Sequence, residues 1–544
     1  MAGTPWASHC QHLRQVCVDN DMLVFYEEQY QEVAGRPAAP LPAIIVDRSK
    51  VYHFPWRGSN TSSDFELRKV AAATAAAGAP KPGGAEDQQQ RRRRQNLPGQ
   101  RAQEQQQQQR RRHEALRTRP ATSREPAAYL AAPVFSKCTV PIVVYPIFAS
   151  NFVHVFHDLA SFLHALLRRT PWRRHAKLVT VTPEGLGMTG PEAQLLPPLT
   201  EFAVQTWADF SARLPPDYDP AARGWDAQQP PPSFEGGEQR CFQHMFVCGR
   251  RFKAMRGLEE VLPEGEGPAV QQALAKAVPR ENYAFGQMLV QHMQQQQQGV
   301  QQREVQGQAG NNDTHGGSGK QASGRQASSG KRRLKIVFMK RGGEGRQLLN
   351  IHELLQRCNA WSLSLPNNRD NVTAECREVE LPSLQAGVAA AQEADVFIGM
   401  HGANMANSWL MRPGSSAIEV SPFQFGLMLG SFGLSNANAQ DPSSQVLWWL
   451  AVVCDPAISQ PGPAEVAGTG KRPWWPRDRS ARVPWTALAT ILEEVVAAGG
   501  DRRRYIETHY RNFTHRFNVG ATGVLSRGAG PDGDHSGCPA AGNL

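Results

Sequence analysis

Residues with the chemistry to bind phosphate and hydroxyl groups follow two apolar runs in the C-terminal half of the chain. Arg341 and Arg346 come after the run 335–339, and a guanidinium group can form paired hydrogen bonds with phosphate oxygens. His401 and Gly402 come after a second run, where glycine lets the backbone approach a ligand and histidine can donate a hydrogen bond. An arginine cluster alone is also typical of a solvated turn, and a His-Gly pair of a tight bend. A binding site is favoured over these structural roles only if both groups lie at the same edge of one sheet.

The elements around these residues alternate between strands and helices. Apolar runs at 335–339, 394–400 and 416–420 predict buried strands, and the patterns at 350–358 and 385–393 predict helices between them. This alternation indicates a parallel sheet with crossover helices. Ligands of such sheets lie at the carboxyl ends of the strands, against helix N-termini. The two arginines and the pair His401 and Gly402 follow the ends of two of the predicted strands. Glu419 lies at the end of the third, where its carboxylate can accept hydrogen bonds from hydroxyl groups.

These motifs resemble glycosyltransferase family 61. The resemblance rests on Lys340-Arg341, Arg346 and Asn350, the stretch 394–403 that ends in His-Gly-Ala, and Pro413-Gly414 followed by Ile418-Glu419-Val420. That family includes plant xylan-decorating transferases and N-acetylglucosaminyltransferases that act on EGF domains and on O-linked mannose. The resemblance implies that a nucleotide-sugar donor is bound by Arg341, Arg346, Asn350, His401, Gly402, Ala403 and Glu419.

A second candidate group lies in the N-terminal half, after a predicted strand at 140–147. His154 and Asp158 are four residues apart and therefore share one face of a helix, with His157 beside them. An imidazole and a carboxylate held together can take a proton from a hydroxyl group, although such residues also cap helices. The choice among Asp158, His154 and His157 as the base stays open. The same segment resembles the O-mannose-directed members of the family.

The composition limits the classes of function. The chain has 544 residues and a formal net charge of +10, but the segment 91–124 alone carries 11 Arg against 2 Glu, which is +9 of that charge. Because the basic residues lie in one Gln- and Arg-rich stretch without interleaved aromatic residues, we expect no nucleic-acid partner for the enzyme itself. A stretch of this composition cannot bury a core and predicts a disordered insert.

The cysteines and glycosylation triplets favour the secretory pathway, in the lumen of the Golgi or endoplasmic reticulum. Nine cysteines occur without CxxC pairs, and Cys10 with Cys17, and Cys241 with Cys248, lie close enough in sequence to bridge. Four triplets have the form of N-glycosylation acceptors, at Asn60, Asn312, Asn371 and Asn512. The first thirty residues lack an apolar core, so we expect any contact with a membrane to depend on an N-terminal anchor missing from this sequence.

The expected fold class is α/β, with two facing Rossmann-like domains of the GT-B type and low-complexity inserts. The predicted parts are an N-terminal segment (1–70), a disordered insert (71–127), an acceptor-side α/β domain (128–293), a flexible linker (294–332), a donor-binding α/β domain (333–440), a helical part that completes the fold (441–526) and a disordered tail (527–544).

The sequence therefore predicts a glycosyltransferase that moves N-acetylglucosamine or a pentose from a UDP-sugar to a hydroxyl of a glycan or glycoprotein. Fixed positive groups can neutralise the departing diphosphate, so we expect an inverting reaction with no metal and no other cofactor. The His-x-x-His-Asp segment lacks a further set of metal ligands. Two alternatives remain, namely a non-catalytic binding protein of GT-B fold and an Arg-rich nucleic-acid-binding protein.

Overall fold

The chain divides into two units, Met1–Val270 and Gln271–Leu544. The computed structural model describes residues 10–31, 38–42, 44–46, 114–144, 149, 151–168, 170, 175–182, 187–219, 238–248, 281–299, 332–341, 346–364, 371–425, 446–461, 475–510, 512, 514–528 and 538.

The first unit contains a seven-stranded mixed sheet with the order β5-β2-β1-β9-β6-β7-β8. Its strands, with the separate pair β3 and β4, are β1 (Cys10–Asp19), β2 (Met22–Phe25), β3 (Ile45–Val46), β4 (Glu114–Ala115), β5 (Arg117–Pro120), β6 (Val140–Val144), β7 (Ala176–Thr180), β8 (Gln205–Thr206) and β9 (Cys241–Cys248). The pairs from β9 through β6 and β7 to β8 are parallel, whereas β1 is antiparallel to both β2 and β9. The parallel half fits the α/β class, and β6 and β7 are fully buried, as is typical of inner strands of a parallel sheet.

Short helices connect these strands. They are α1 (Ala128–Ala131), α2 (Phe152–His154), α3 (Ser161–Arg168), α4 (Gly190–Leu195) and α5 (Trp207–Ser211), with a π-helical turn at Val155–Ala160 and 3-10 turns at Glu28–Tyr30 and Pro197–Leu199. Asn151 begins α2 by accepting a hydrogen bond from the backbone N–H of Val153 at 3.1 Å. The helix enters the π turn directly, and such turns place extra side chains on one face, often at functional sites.

The N-terminal segment is part of this sheet, and its disulfides differ from the pairing proposed above. Cys10 bonds to Cys248 and Cys17 to Cys241, because the antiparallel register of β1 and β9 places each pair directly opposite. Proximity in sequence was a poor guide to the pairing, because each predicted pair lies in a single extended strand. Two residues seven positions apart in a strand are roughly 23 Å apart, which is too far to form a disulfide. A further correction concerns the insert predicted at 71–127, because its end contains β5, which pairs with β2.

The second unit is built on an eight-stranded sheet with the order β11-β12-β10-β13-β14-β15-β18-β19. Its strands, with the separate pair β16 and β17, are β10 (Arg333–Met339), β11 (Ser362–Ser364), β12 (Asn371–Val379), β13 (Val396–Met400), β14 (Ser416–Ser421), β15 (Leu447–Val453), β16 (Ser459–Gln460), β17 (Ser480–Ala481), β18 (Arg516–Gly520) and β19 (Gly523–Arg527). The six central strands from β12 to β18 are parallel, and the two edge strands are antiparallel. This arrangement confirms the α/β class for the second unit.

Helices precede or connect the strands of this sheet. They are α6 (281–299), α7 (Ile351–Asn359), α8 (Leu384–Glu393), α9 (Trp485–Ala498) and α10 (Arg502–Tyr505), with 3-10 turns at Ala403–Leu410, Pro456–Ile458 and Trp475–Asp478 and a π turn at Ile506–Tyr510. One extensive apolar cluster joins α7 and α9 to one face of the sheet. Trp449 of β15 lies in that cluster and is completely buried, and burial of a large apolar side chain contributes about 1.5–3 kcal/mol.

Three predictions for this unit need correction. The sequence predicts a helical part at 441–526, but β15, β18 and β19 lie within it and extend the same sheet. Strand β12 was not predicted, although its buried residues alternate with exposed ones as in a half-buried strand. Residues 281–293, assigned above to the acceptor-side domain, form α6 together with residues 294–299 of the predicted linker, and this helix belongs to the second unit because Gln287 donates to the backbone carbonyls of Trp409 and Met411.

Some predictions concern residues outside those that the structure describes. They are most of the insert (71–113), most of the linker (300–331), most of the C-terminal tail, Gly342, Gly343 and the triplet residues Asn60 and Asn312. Among the described helices, none combines the length and the apolar character needed to cross a membrane.

Candidate functional site

The end of β13 places His401 at the centre of a buried polar group. The backbone N–H of His401 donates to the carbonyl of Val420 at 2.8 Å, which continues the parallel pairing of β13 with β14. The His401 side chain is 4% exposed, and its Nδ1 is hydrogen-bonded to Oε1 of Glu419. An ionised carboxylate can only accept, so Nδ1 carries the proton in this contact. The ring also lies against Phe425, with 4.8 Å between ring centroids.

Two arginines converge on the backbone that follows His401. The Nη1 atoms of Arg341 and Arg346 each lie 3.5 Å from the carbonyl oxygen of His401. A Cβ atom placed on Gly402 would lie 2.2 Å from Nη1 of Arg341 and 3.0 Å from that of Arg346. Gly402 has φ 149° and ψ −173°, a conformation essentially reserved for glycine. The 3-10 helix that starts at Ala403 adds the partial positive charge of its first N–H groups. Positive groups from three segments therefore meet at one bare turn of backbone.

The position of Arg346 depends on a segment far along the chain. Arg346 has φ 59°, and its side chain is 4% exposed. Its backbone N–H donates to the carbonyl of Asp478 at 3.2 Å, and its Nε lies 3.6 Å from Oδ1 of the same residue. Leu348 and Ala481 form a parallel bridge just beyond, so the loop 346–350 is held as a short strand-like edge. Asp478 supplies one negative charge beside the two arginines.

Asn350 and Lys340 have structural contacts. The amide of Asn350 donates to the backbone carbonyl of Val483 at 2.8 Å, which fixes the start of α7 against the segment that carries Asp478. Lys340, which precedes Arg341, forms ion pairs with Glu378 and Glu380 at 3.2 and 3.3 Å. Hydrogen bonds to these two carboxylates raise the pKa of Lys340. The structure therefore brings Arg341, Arg346, His401 and Glu419 together. Asn350 instead holds the start of α7 through its hydrogen bond to Val483.

The predicted acid–base group lies in the first unit, at the junction of α2 and the π turn. Nδ1 of His154 is 2.8 Å from Oδ2 of Asp158. Oδ1 of the same carboxylate is 3.8 Å from Nε2 of His157. The His154 side chain is 26% exposed, Asp158 is 14% exposed and His157 is buried. His154 is thus the member of the group that is most accessible to solvent, and Asp158 is positioned to orient its ring.

A protein metal site needs several ligand side chains close together. Among the described residues, no cluster of three or more His, Cys, Asp or Glu side chains is placed to hold a metal ion. His154, His157 and Asp158 therefore make a hydrogen-bonded group in this structure, and the expected independence of metal stays a prediction.

The comparison with known families decides the assignment. Residues 152–418 match the family model described as Glycosyltransferase 61. This match assigns residues 152–418 to glycosyltransferase family 61. The family match begins at the helix that carries His154 and ends one residue before Glu419, so it contains the other predicted site residues. No curated protein matches the chain.

Two residues of the family 61 site were missed from sequence. Phe425 follows the last predicted strand and has no spacing signal that would relate it to His401. Asp478 follows two tryptophans closely in the chain, and nothing in its local pattern indicates that it pairs with Arg346. The contact of Arg346 with Asp478 exists only because the segment 475–483 returns to the loop before α7.

Proposed function

We propose that this family 61 member transfers a sugar from a UDP-sugar to a hydroxyl group of a glycan or glycoprotein, with inversion at the anomeric carbon. The observation that carries the proposal is the convergence of Arg341 and Arg346 on the carbonyl of His401 and on Gly402. Two guanidinium groups and a helix N-terminus that meet at one bare turn of backbone favour an anionic ligand with several phosphate oxygens. The diphosphate of a nucleotide sugar has this character.

In the proposed reaction, the donor half uses fixed positive charge. The bond between the anomeric carbon and the diphosphate oxygen breaks, and both electrons leave with the nucleotide. Arg341 and Arg346 stabilise the negative charge that grows on the departing oxygen, and they need little rearrangement because the backbone already holds them. Glu419 keeps His401 in one orientation through Nδ1, so that the imidazole presents its other nitrogen to the donor. We propose that this neutralisation replaces a metal ion.

The acceptor half uses the pair in the first unit. The acceptor oxygen attacks the anomeric carbon from the side opposite the leaving diphosphate, and its proton passes to Nε2 of His154. Asp158 accepts a hydrogen bond from Nδ1–H of His154, which selects the tautomer with a basic Nε2. His157 is buried beside the carboxylate and supports its position. This assignment orders the three candidates that the sequence left equal.

The setting of the enzyme is proposed from its cysteines. Eight of the nine cysteines form four disulfides, Cys10–Cys248, Cys17–Cys241, Cys358–Cys376 and Cys454–Cys538. Disulfides on this scale form in oxidising compartments. We therefore propose that the reaction takes place in the lumen of the Golgi or endoplasmic reticulum. We also propose that the transferred sugar is N-acetylglucosamine or a pentose.

A panel of nucleotide sugars tests the donor half. Thermal unfolding is followed with each UDP-sugar in the presence of EDTA, for the wild type and for His401→Ala, Arg346→Ala and Arg412→Ala. Arg412 is the matched control, because it pairs with Asp395 at 2.8 Å before the start of β14, at the opposite end of that strand. One UDP-sugar should raise the unfolding temperature of the wild type and of Arg412→Ala only. Equal stabilisation of all four proteins would refute the donor site.

Turnover tests the acceptor half. Release of UDP from the stabilising donor should fall about 100-fold or more in His154→Gln, since general-base catalysis contributes roughly 10²–10⁴-fold. Asp158→Asn should lower the rate as well but leave donor affinity unchanged. If both variants turn over at the wild-type rate, the base assignment is wrong. A wild type that binds the donor but shows no turnover with any acceptor would be the non-catalytic binding protein.

A further inference from the structure

A row of buried polar side chains continues from His401 onto the neighbouring strand β14. Met400 is paired with Val420 in the parallel register, so the next residues, His401 and Ser421, lie side by side. Glu419 is two residues before Ser421, and residues two apart in a strand point to the same face. Both Glu419 and Ser421 are 1% exposed. The carboxylate and the hydroxyl therefore stand on the same face of the sheet, next to the histidine.

Two atoms of this row have no hydrogen-bond partner. Oε1 of Glu419 is occupied by His401, but Oε2 of Glu419 and Oγ of Ser421 contact no donor or acceptor among the residues that the structure describes. Buried polar atoms are almost always paired, because leaving one unpaired costs the desolvation of that group. Two such atoms on one strand face, beside the proposed donor site, indicate that a ligand supplies the missing partners.

The chemistry of the two atoms specifies that ligand. A carboxylate oxygen accepts hydrogen bonds, and a serine hydroxyl both donates and accepts. A vicinal diol matches this pair, since each of its hydroxyls can donate to one group and accept from another. Neighbouring strands are about 4.8 Å apart. A diphosphate at Gly402, at the end of β13, would therefore place the attached ribose at the end of β14.

We propose that Ser421 binds the ribose diol of the donor nucleotide, together with Oε2 of Glu419, and that it sets the preference for ribose over deoxyribose. This inference rests on the proposed function, because the diphosphate contact of Arg341 and Arg346 fixes where the ribose lies. Ser421 acts by direct contact with the ligand and takes no part in the bond-breaking step.

The test compares ribose and deoxyribose ligands in calorimetric titrations of the full chain. UDP, 2′-deoxy-UDP and 3′-deoxy-UDP are titrated into the wild type, Ser421→Ala and the control Ser416→Ala. Ser416 lies in the same strand at its other end and is also buried, but its Oγ accepts a hydrogen bond from Nε1 of Trp449 at 3.2 Å. The control therefore reports the general effect of losing a buried serine hydroxyl from β14.

The wild type and Ser416→Ala should prefer UDP over at least one deoxy ligand by about tenfold, which is the usual size of one good hydrogen bond. In Ser421→Ala this preference should disappear, while the affinity for that deoxy ligand stays as in the wild type. The inference is overturned if Ser421→Ala keeps the wild-type preference, or if the wild type binds all three ligands equally. In those cases the donor site still stands, provided that Arg346→Ala weakens all three. Failure of the wild type to bind any of them would refute the donor site and this inference together.

Discussion

Replacing Gly402 with alanine tests whether the two arginines require bare backbone at the end of β13. The new Cβ would lie 2.2 Å from Nη1 of Arg341, so that guanidinium group has to move. Loss of a hydrogen bond to a charged group costs about 1.5–3 kcal/mol, which corresponds to a decrease in donor affinity of roughly 10- to 150-fold. The φ of 149° adds strain of about 1–3 kcal/mol to the folded state.

The strain and the loss of the contact can be separated with a second glycine. Gly523 has φ 146°, and its added Cβ would lie 3.1 Å from the hydroxyl of Thr486, with neither Arg341 nor Arg346 among its nearest neighbours. Gly523→Ala should therefore lower the free energy of unfolding by a similar amount but leave UDP binding unchanged. Denaturant unfolding measures the first quantity, and calorimetric titration with UDP measures the second.

The reasoning is refuted by either of two results. Binding of UDP to Gly402→Ala with wild-type affinity would show that Arg341 does not contact the diphosphate from its present position. An equal loss of affinity in Gly402→Ala and Gly523→Ala would show that general destabilisation, rather than displacement of the guanidinium group, explains the effect.

Three further predictions concern single side chains. Glu419→Gln should weaken UDP binding about tenfold, because an amide no longer forces a proton onto Nδ1 of His401; titration with UDP measures this, and unchanged affinity would contradict the role of Glu419. Burial lowers the pKa of His515 from 6.5 to about 4, so the unfolded chain binds more protons and wild-type stability should fall as the pH drops from 6.5 toward 4. Between pH 7 and pH 4.5, the free energy of unfolding should therefore decrease by about 2 kcal/mol less in His515→Gln than in the wild type. An equal decrease in both proteins would show that His515 does not cause the pH dependence. Asn512 is exposed, and in protein from a secretory host Asn512→Gln should remove one glycan-dependent mass step seen on deglycosylation; no step in the wild type would argue against glycosylation at that triplet.

Much of the central part of the second unit could be predicted from local pattern. The predicted strands at 394–400 and 416–420 correspond to Val396–Met400 and Ser416–Ser421, because strands buried on both faces of a parallel sheet are continuous apolar runs. Within the helical part predicted at 441–526, α9 spans Trp485–Ala498, and Gly499 ends it with φ 62°. These elements also place His401 and Gly402 at a strand end.

Other features had no sufficient local signal. The disulfides follow the register of β1 and β9, two strands separated by more than 200 residues. The membership of α6 in the second unit follows from its contacts with Trp409. Strand β12 did have a local signal. Its apolar residues, which are buried in the structure, alternate with polar ones, and this pattern predicts a half-buried strand.

Local sequence patterns predict which residue types end the strands of the eight-stranded sheet, because the period of two for strands and of 3.6 for helices is a property of the backbone. Which of those residues meet depends on the tertiary structure. Arg346 reaches His401 because Asp478 and the segment around Ser480 hold its loop, and Ser480 lies 133 residues from Gln347. Side chains so far apart in the chain come together through packing and strand pairing, and these depend on many residues at once.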